Sequence, residues 1–258
     1  RVLVNPFGTQ VNSLLLGGSD LEGVSHSLHR FIELLEEQRG ELALPYTLDV
    51  ALAPDIARQF ANWPFTRLDA LPPDTGAELL NRIGMHAILY AWTGDLRHAQ
   101  YSRDCLLKMN RLYPHSYGDW HYGIEKLVRA LPWLVSSGLL SGGELHQTEE
   151  RLLNNAIGSQ NMWWRRRDGR PPLGHRHHGK GAFAFYLQAR YLRDHARCND
   201  AAQALCAQWC AECCAFLDAL ANARIDDQDD ESTLNNLSTL IWYALGEERF
   251  ELFESGNA

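Results

Sequence analysis

The segment richest in chemically useful side chains is 117–123, which reads Tyr-Gly-Asp-Trp-His-Tyr-Gly. Aromatic faces suit stacking on sugar rings, and the polar tips of these side chains suit sugar hydroxyls. We therefore predict that Tyr117, Asp119, Trp120, His121 and Tyr122 line a carbohydrate-type site. The structural alternative, in which tyrosine and tryptophan pack the start of a helix, stays open.

A second cluster lies at 171–181 and contains His175, Arg176, His177 and His178 just before an apolar helical pattern. Near a helix N-terminus, the helix dipole and neighbouring cations favour the neutral form of an imidazole, which is the form a general base needs. The guanidinium of Arg176 offers a fork for a carboxylate. A metal site and plain surface polarity are the alternatives.

A third cluster is the acidic run at 226–231, followed by Asn235 and Asn236. Acidic residues at a helix N-terminus are favourable through the dipole alone. Paired carboxylates for glycoside hydrolysis are the functional alternative, and the asparagines are candidates to face the same site. The run lacks the alternating Asp-x-Asp-x-Asp-Gly pattern of a calcium loop.

The elements that position these clusters are predicted to be helices. Apolar residues at helical spacing, separated by glycines, predict seven helices over residues 76–92, 95–112, 120–136, 144–162, 179–194, 199–222 and 231–245. Short connections favour helical hairpins laid side by side, so the predicted fold is mainly α, an incomplete (α/α) toroid. On the first helix, Asn81, Arg82 and His86 form a weaker candidate site.

The N-terminal region has a different pattern. The apolar run at 14–16 is followed by Gly17-Gly18 and by a helical pattern that starts near Gly23, which predicts a small α/β segment. A proline-bearing linker over 53–74 then leads into the helices. We predict a small segment with its linker over 1–70 and the toroid over 71–258, truncated at its C-terminus.

Composition narrows the function classes. The chain has 258 residues and a formal net charge of -8, without the basic stripe that nucleic-acid binding needs. No apolar run is long enough to predict a membrane span, and no cofactor is expected. Cys206, Cys210, Cys213 and Cys214 share one helix face, which predicts a tight helix–helix contact.

Two segments carry a family resemblance. Residues 119–126 (Asp-Trp-His-Tyr-Gly-Ile-Glu-Lys) and 172–181 (Pro-Leu-Gly-His-Arg-His-His-Gly-Lys-Gly) resemble the (α/α) toroid polysaccharide lyases, including those that cut rhamnose–glucuronate linkages in plant gum. The likeness covers the predicted toroid. Heparinase-type toroid lyases have an Asn-His-His-like stretch at a related point, where this chain reads Arg-His-His at 176–178.

The resemblance implies β-elimination at a uronic acid in a polysaccharide substrate, with His178, Trp120, Asp119 and Asn235 as further substrate contacts. The enzyme must neutralise the carboxylate, remove the C5 proton and protonate the leaving oxygen. The implied groups are, in that order, Arg176 or His175, His177 or His121, and Tyr122 or Tyr117.

Two other functions compete with a lyase. A glycoside hydrolase on the same toroid would use Asp119 with Asp227, Asp229 or Asp230, and a non-catalytic carbohydrate-binding scaffold would use none of these groups chemically. The resemblance implies a secreted or periplasmic protein, whereas the unpaired pattern of cysteines favours a reducing compartment.

Overall fold

The computed structural model describes residues 2–3, 13–14, 16–18, 20–37, 58, 64–71, 76–117, 123–159, 176–196, 198–222, 230–247, 249 and 252. Within these, it is mainly helical, which confirms the predicted fold class at that level. The helices are α1 (Leu21–Glu37), α2 (Gly76–Thr93), α3 (Leu96–Leu112), α4 (Ile124–Ser136), α5 (Gly142–Ser159), α6 (Arg176–Asp194), α7 (Asp200–Ala221) and α8 (Asp230–Gly246). A short 3-10 helix covers Leu68–Ala70.

Local signals in the sequence set several helix starts. The Asp95 side chain accepts a hydrogen bond from the backbone N–H of Arg97 at 2.9 Å, so it caps α3 as predicted. Ser141 and Glu144 form a reciprocal capping box, with the Ser141 N–H donating to Glu144 Oε2 at 2.9 Å. Gly94 and Gly138, in the turns before α3 and α5, have φ of 67° and 71°, a conformation that favours glycine.

The start of α6 differs from the sequence prediction. The helix begins at Arg176 rather than at residue 179, so His177 and His178 belong to its first turn and do not precede it. Gly179, the first residue of the predicted helix, is a buried residue inside α6 at a close approach to neighbouring helices.

Helix α6 is the centre of the packing, because it contacts α4, α5, α7 and α8. Its contacts with α8 show that these two helices run parallel. Near their starts, Gly179 approaches Asn236, and near their ends, Arg190 pairs with Glu247. The pair of helices next to each other in the chain, α5 and α6, is antiparallel.

Every second helix along the chain is a neighbour in space, and these helices form layers. Helices α4, α6 and α8 contact one another in sequence, and α2 joins α4 where Gly84 meets Lys126. On the other side, α3 contacts α5 through Arg103 and Glu144 near the start of α5 and through Asn110 and Thr148 one turn later. The result is an α2–α4–α6–α8 layer and a second layer that contains α3 and α5, while α7 packs on α6.

The cysteine face of α7 packs as predicted. Cys206, Cys210 and Cys213 are buried, and α7 makes its most extensive contact with α6. Burial raises the pKa of Cys206 and of Cys210 to about 11, so both are uncharged thiols at neutral pH. By length and composition α7 could also cross a membrane, but this is weak evidence, because a core helix meets the same criteria.

The chain divides into two compact units. One comprises residues 1–63 with 91–94, and the other comprises 64–90 with 95–258. In the first unit, strands β1 (Val2–Leu3) and β2 (Ser13–Leu14) pair antiparallel, and α1 follows. Asp20 accepts a hydrogen bond from the Gly23 N–H at 2.8 Å at the start of α1.

Candidate functional site

The first turn of α4 and the first two turns of α6 and α8 lie side by side. Lys180 on α6 pairs with Glu125 on α4, with 3.7 Å between Nζ and Oε1. Both side chains are mostly buried, so their charges are partly shielded from water. Because the three helices are parallel, the chain enters all of them from the same end of the layer.

Gly179 brings α6 close to α8. A Cβ at this position would lie 2.6 Å from Asn236 Oδ1 and 2.9 Å from Leu220 Cδ2, distances that real Cβ atoms do not show. Glycine is therefore required for this approach, and Asn236 is buried against it. Gly179 thus has a packing role beside its place in the histidine-rich segment 171–181.

Helix α2 completes this end of the layer. Lys126 Nζ donates to Asn81 Oδ1, and a Cβ at Gly84 would lie 2.8 Å from the Lys126 Cβ. Gly123, just before α4, approaches Leu80 in the same way. We call the described first turn of α4 and first two turns of α6 and α8, with this part of α2, the helix-start end.

The three sequence clusters precede or begin the helices that meet there. Residues 117–123 lead into α4, residues 171–178 lead into and begin α6, and residues 226–231 lead into α8. Several predicted site residues lie outside the described residues: Asp119, Trp120, His121, Tyr122 and His175. The backbones of Arg176, His177 and Asn235 are helical, and their side chains also lie outside the described part.

In the first two clusters, two predicted site residues have described side chains. His178 is half-buried in the first turn of α6. Tyr117 is completely buried, and its hydroxyl donates to Asn110 Oδ1 at 2.5 Å. Asn110 in turn donates to Thr148 at 3.1 Å, so the three side chains link α3 and α5. Burial raises the pKa of Tyr117, and its assignment as a catalytic acid stays a prediction.

A second polar cluster joins α2 to α3 within the larger unit. The Nδ1 atoms of His86 and His98 are 2.9 Å apart, so one ring donates to the other. Phe65 stacks on His98 with ring centroids 5.0 Å apart, and Tyr101 contacts His86 at 4.4 Å. Burial, together with the neighbouring His98 and Arg82, lowers the pKa of His86 to about 4.

Sequence inspection gave His86 only a minor role and did not pair it with His98. The sequence did contain a signal for this pair. Gly94 lies in the turn between α2 and α3, and an antiparallel hairpin places positions 86 and 98 opposite each other. Beside this histidine pair lies an open depression of about 510 Å³. Its walls are mostly apolar and come from Phe65, Leu96, Arg97, Gln100, Tyr101, Asp104 and Leu139.

Neither cluster provides a metal centre from described side chains. Among the residues that the structure describes, no group of three or more histidine, cysteine or acidic side chains could hold a metal ion. The six cysteines all lie among the described residues, and none of them forms a disulfide. Comparison of the chain with protein-family models, with curated proteins and with solved structures gave no match.

Proposed function

We propose that the protein is a carbohydrate-active enzyme, a polysaccharide lyase that cleaves a uronic-acid-containing glycan by β-elimination. The observation that carries this proposal is the helix-start end. Three segments rich in histidine, aromatic and acidic residues lead into α4, α6 and α8, and these helices contact one another within their first two turns. Residues far apart in the chain are thereby available to one substrate.

The proposal includes an incomplete (α/α) toroid and a small N-terminal α/β segment. Contacts between helices two apart in the chain, in both layers, support the toroid, since a ring of helical hairpins requires them. The β1–β2 pair followed by α1 supports the N-terminal segment.

In the proposed reaction, a base takes the proton from C5 of the uronate. The electron pair of that C–H bond forms a C4–C5 double bond, and the bond from C4 to the glycosidic oxygen breaks. An acid protonates the leaving oxygen. His177 or His121 is the proposed base, and Arg176 or His175 neutralises the carboxylate, which makes the C5 proton more acidic.

Tyr122 and Tyr117 are the proposed acids, and Tyr122 is the first to test. The Tyr117 hydroxyl is buried and already donates to Asn110, so its use would require the local packing to open. Tyr122 stands between His121 and Gly123 at the entrance to α4.

The test is incubation of the purified chain with a panel of uronate polymers. A lyase produces an unsaturated uronate that absorbs ultraviolet light, a hydrolase produces reducing ends without that absorbance, and a binding scaffold produces neither. We expect ultraviolet absorbance from the wild type, and a loss of at least about a hundredfold in His177→Ala or His121→Ala.

The matched control is His146→Ala, because His146 is exposed on α5 in the other layer. It should keep wild-type activity. Full activity in both His177→Ala and His121→Ala on every cleaved polymer would overturn the proposed roles, and reducing ends without absorbance would replace the lyase with a hydrolase.

A further inference from the structure

About one turn beyond the first turns of α4 and α6, and twelve residues after the start of α8, these helices bring a cation and two aromatic rings together. The guanidinium carbon of Arg129 on α4 lies 4.7 Å from the ring centroid of Trp242 on α8 and 5.6 Å from that of Phe183 on α6. We call these three residues the arginine–aromatic cluster. All three helices of the helix-start end contribute to it.

Arg129 has no anionic partner among the described residues, where it makes neither an ion pair nor a hydrogen bond. Glu125, one turn earlier on α4, instead pairs with Lys180. Burial lowers the pKa of Arg129 although its side chain is exposed, and the charge of Glu125 opposes this shift.

The aromatic side of the cluster is also open to a ligand. Trp242 is 54% exposed, whereas Phe183 is only 2% exposed and contacts the guanidinium of Arg129 from within the protein. An exposed indole beside a cation suits a ring that has an apolar face and an anionic substituent. The chain as a whole has a net charge of -8, so an excess of basic residues does not explain why Arg129 lacks an anionic partner among the described residues.

We propose that the arginine–aromatic cluster is a uronate-binding subsite, in which Arg129 binds the carboxylate and Trp242 stacks on the sugar ring. This proposal rests on the proposed function and specifies its substrate as an anionic sugar at this place. Arg129 is four residues after Glu125, so at 1.5 Å per residue the subsite lies about 6 Å along the layer from the helix-start end. A polymer lying across the helix starts would extend into it.

The test is calorimetric titration with a glucuronate oligosaccharide, in parallel with a neutral glucan of the same length. Arg129→Ala removes a charge-assisted, bidentate contact with the carboxylate and should weaken binding by about ten- to hundredfold. Arg129→Lys keeps the charge without the fork and should fall between wild type and Arg129→Ala. Trp242→Ala should weaken binding about tenfold.

Arg111→Ala is the control, since Arg111 is an exposed arginine at the end of α3. It should bind like the wild type, and the neutral glucan should bind weakly to every variant. Circular dichroism and thermal melting of each variant show that the fold is retained.

Wild-type affinity in Arg129→Ala, with uronate cleavage intact, overturns the subsite and leaves the proposed function standing. Absence of both binding and cleavage by the wild type overturns the two together. Equal binding of polyglutamate and of the glucuronate oligosaccharide overturns the sugar-specific part of the proposal.

Discussion

Two regions of the larger unit contain histidines, and they differ in how the chain builds them. At the helix-start end, His177 and His178 are adjacent in sequence and begin a helix. Between α2 and α3, His86 and His98 are twelve positions apart and meet inside the protein. The first kind of cluster can be found in the sequence, because its histidines are close together along the chain. The second kind can be found only when the alignment of the two helices in a hairpin is known.

The difference has a chemical consequence. Burial and a neighbouring imidazole hold His86 in its neutral form, with its Nδ1 committed to His98. The helix-start end instead holds the ion pair between Lys180 and Glu125. We expect the histidine pair to influence the stability of the protein and the helix-start end to bind a ligand.

The largest effect that separates the two regions is expected from pH. The folded pKa of His86 is about 4 against an ordinary value of 6.5, so below pH 6.5 the unfolded chain binds the proton more readily. Stability is therefore fully present above pH 6.5 and is lost as the pH falls towards 4, by at most about 3 kcal/mol.

Urea unfolding between pH 7 and pH 4 measures this loss. His86→Gln should flatten the pH dependence, while His146→Gln, at an exposed histidine, should retain the wild-type slope. An unchanged slope in His86→Gln would show that the pair is not the source.

A smaller effect is expected at the close approach of α6 to α8. Gly179→Ala places a Cβ against Asn236 and Leu220, and this overpacking should lower the free energy of unfolding by about 2 kcal/mol. Gly158→Ala is the matched control, because Gly158 is an exposed helical glycine with open space around it. It should raise stability by about 0.5 kcal/mol. Equal effects of the two substitutions would contradict the close approach.

The sequence predicted more of the fold than of the site. Helical periodicity predicted α2 to α8 with small errors at the ends, because each helix buries an apolar face. It placed the start of α6 three residues late, at Gly179, which in fact lies inside the helix and permits close packing. The partnership of Arg129 with Trp242 could not be predicted, because it depends on how α4 and α8 are aligned in space.

An effect of intermediate size is expected at Tyr117, whose hydroxyl helps to link α3 and α5. Tyr117→Phe removes the donor to Asn110 Oδ1 and leaves that buried oxygen without it, at a cost of about 1 kcal/mol in unfolding free energy. If Tyr122 is the acid, Tyr117→Phe keeps its activity while Tyr122→Phe loses it. Loss of activity in Tyr117→Phe at unchanged stability would instead support Tyr117 as the acid.

The smallest effect is expected for the ion pair between α4 and α6. A double-mutant cycle with Glu125→Gln and Lys180→Met should give a coupling free energy of about 0.5 kcal/mol, which falls as salt is added. Zero coupling at low salt would show that the first turns of these helices do not interact through this pair.

The central claim is that the helix-start end and the arginine–aromatic cluster bind one substrate, and a crystal structure with a bound glucuronate oligosaccharide tests it most directly. We predict a sugar ring on Trp242, with its carboxylate on Arg129 and the chain of sugars continuing across the starts of α4, α6 and α8. An oligosaccharide bound instead in the depression beside Phe65 and Tyr101 would contradict the claim.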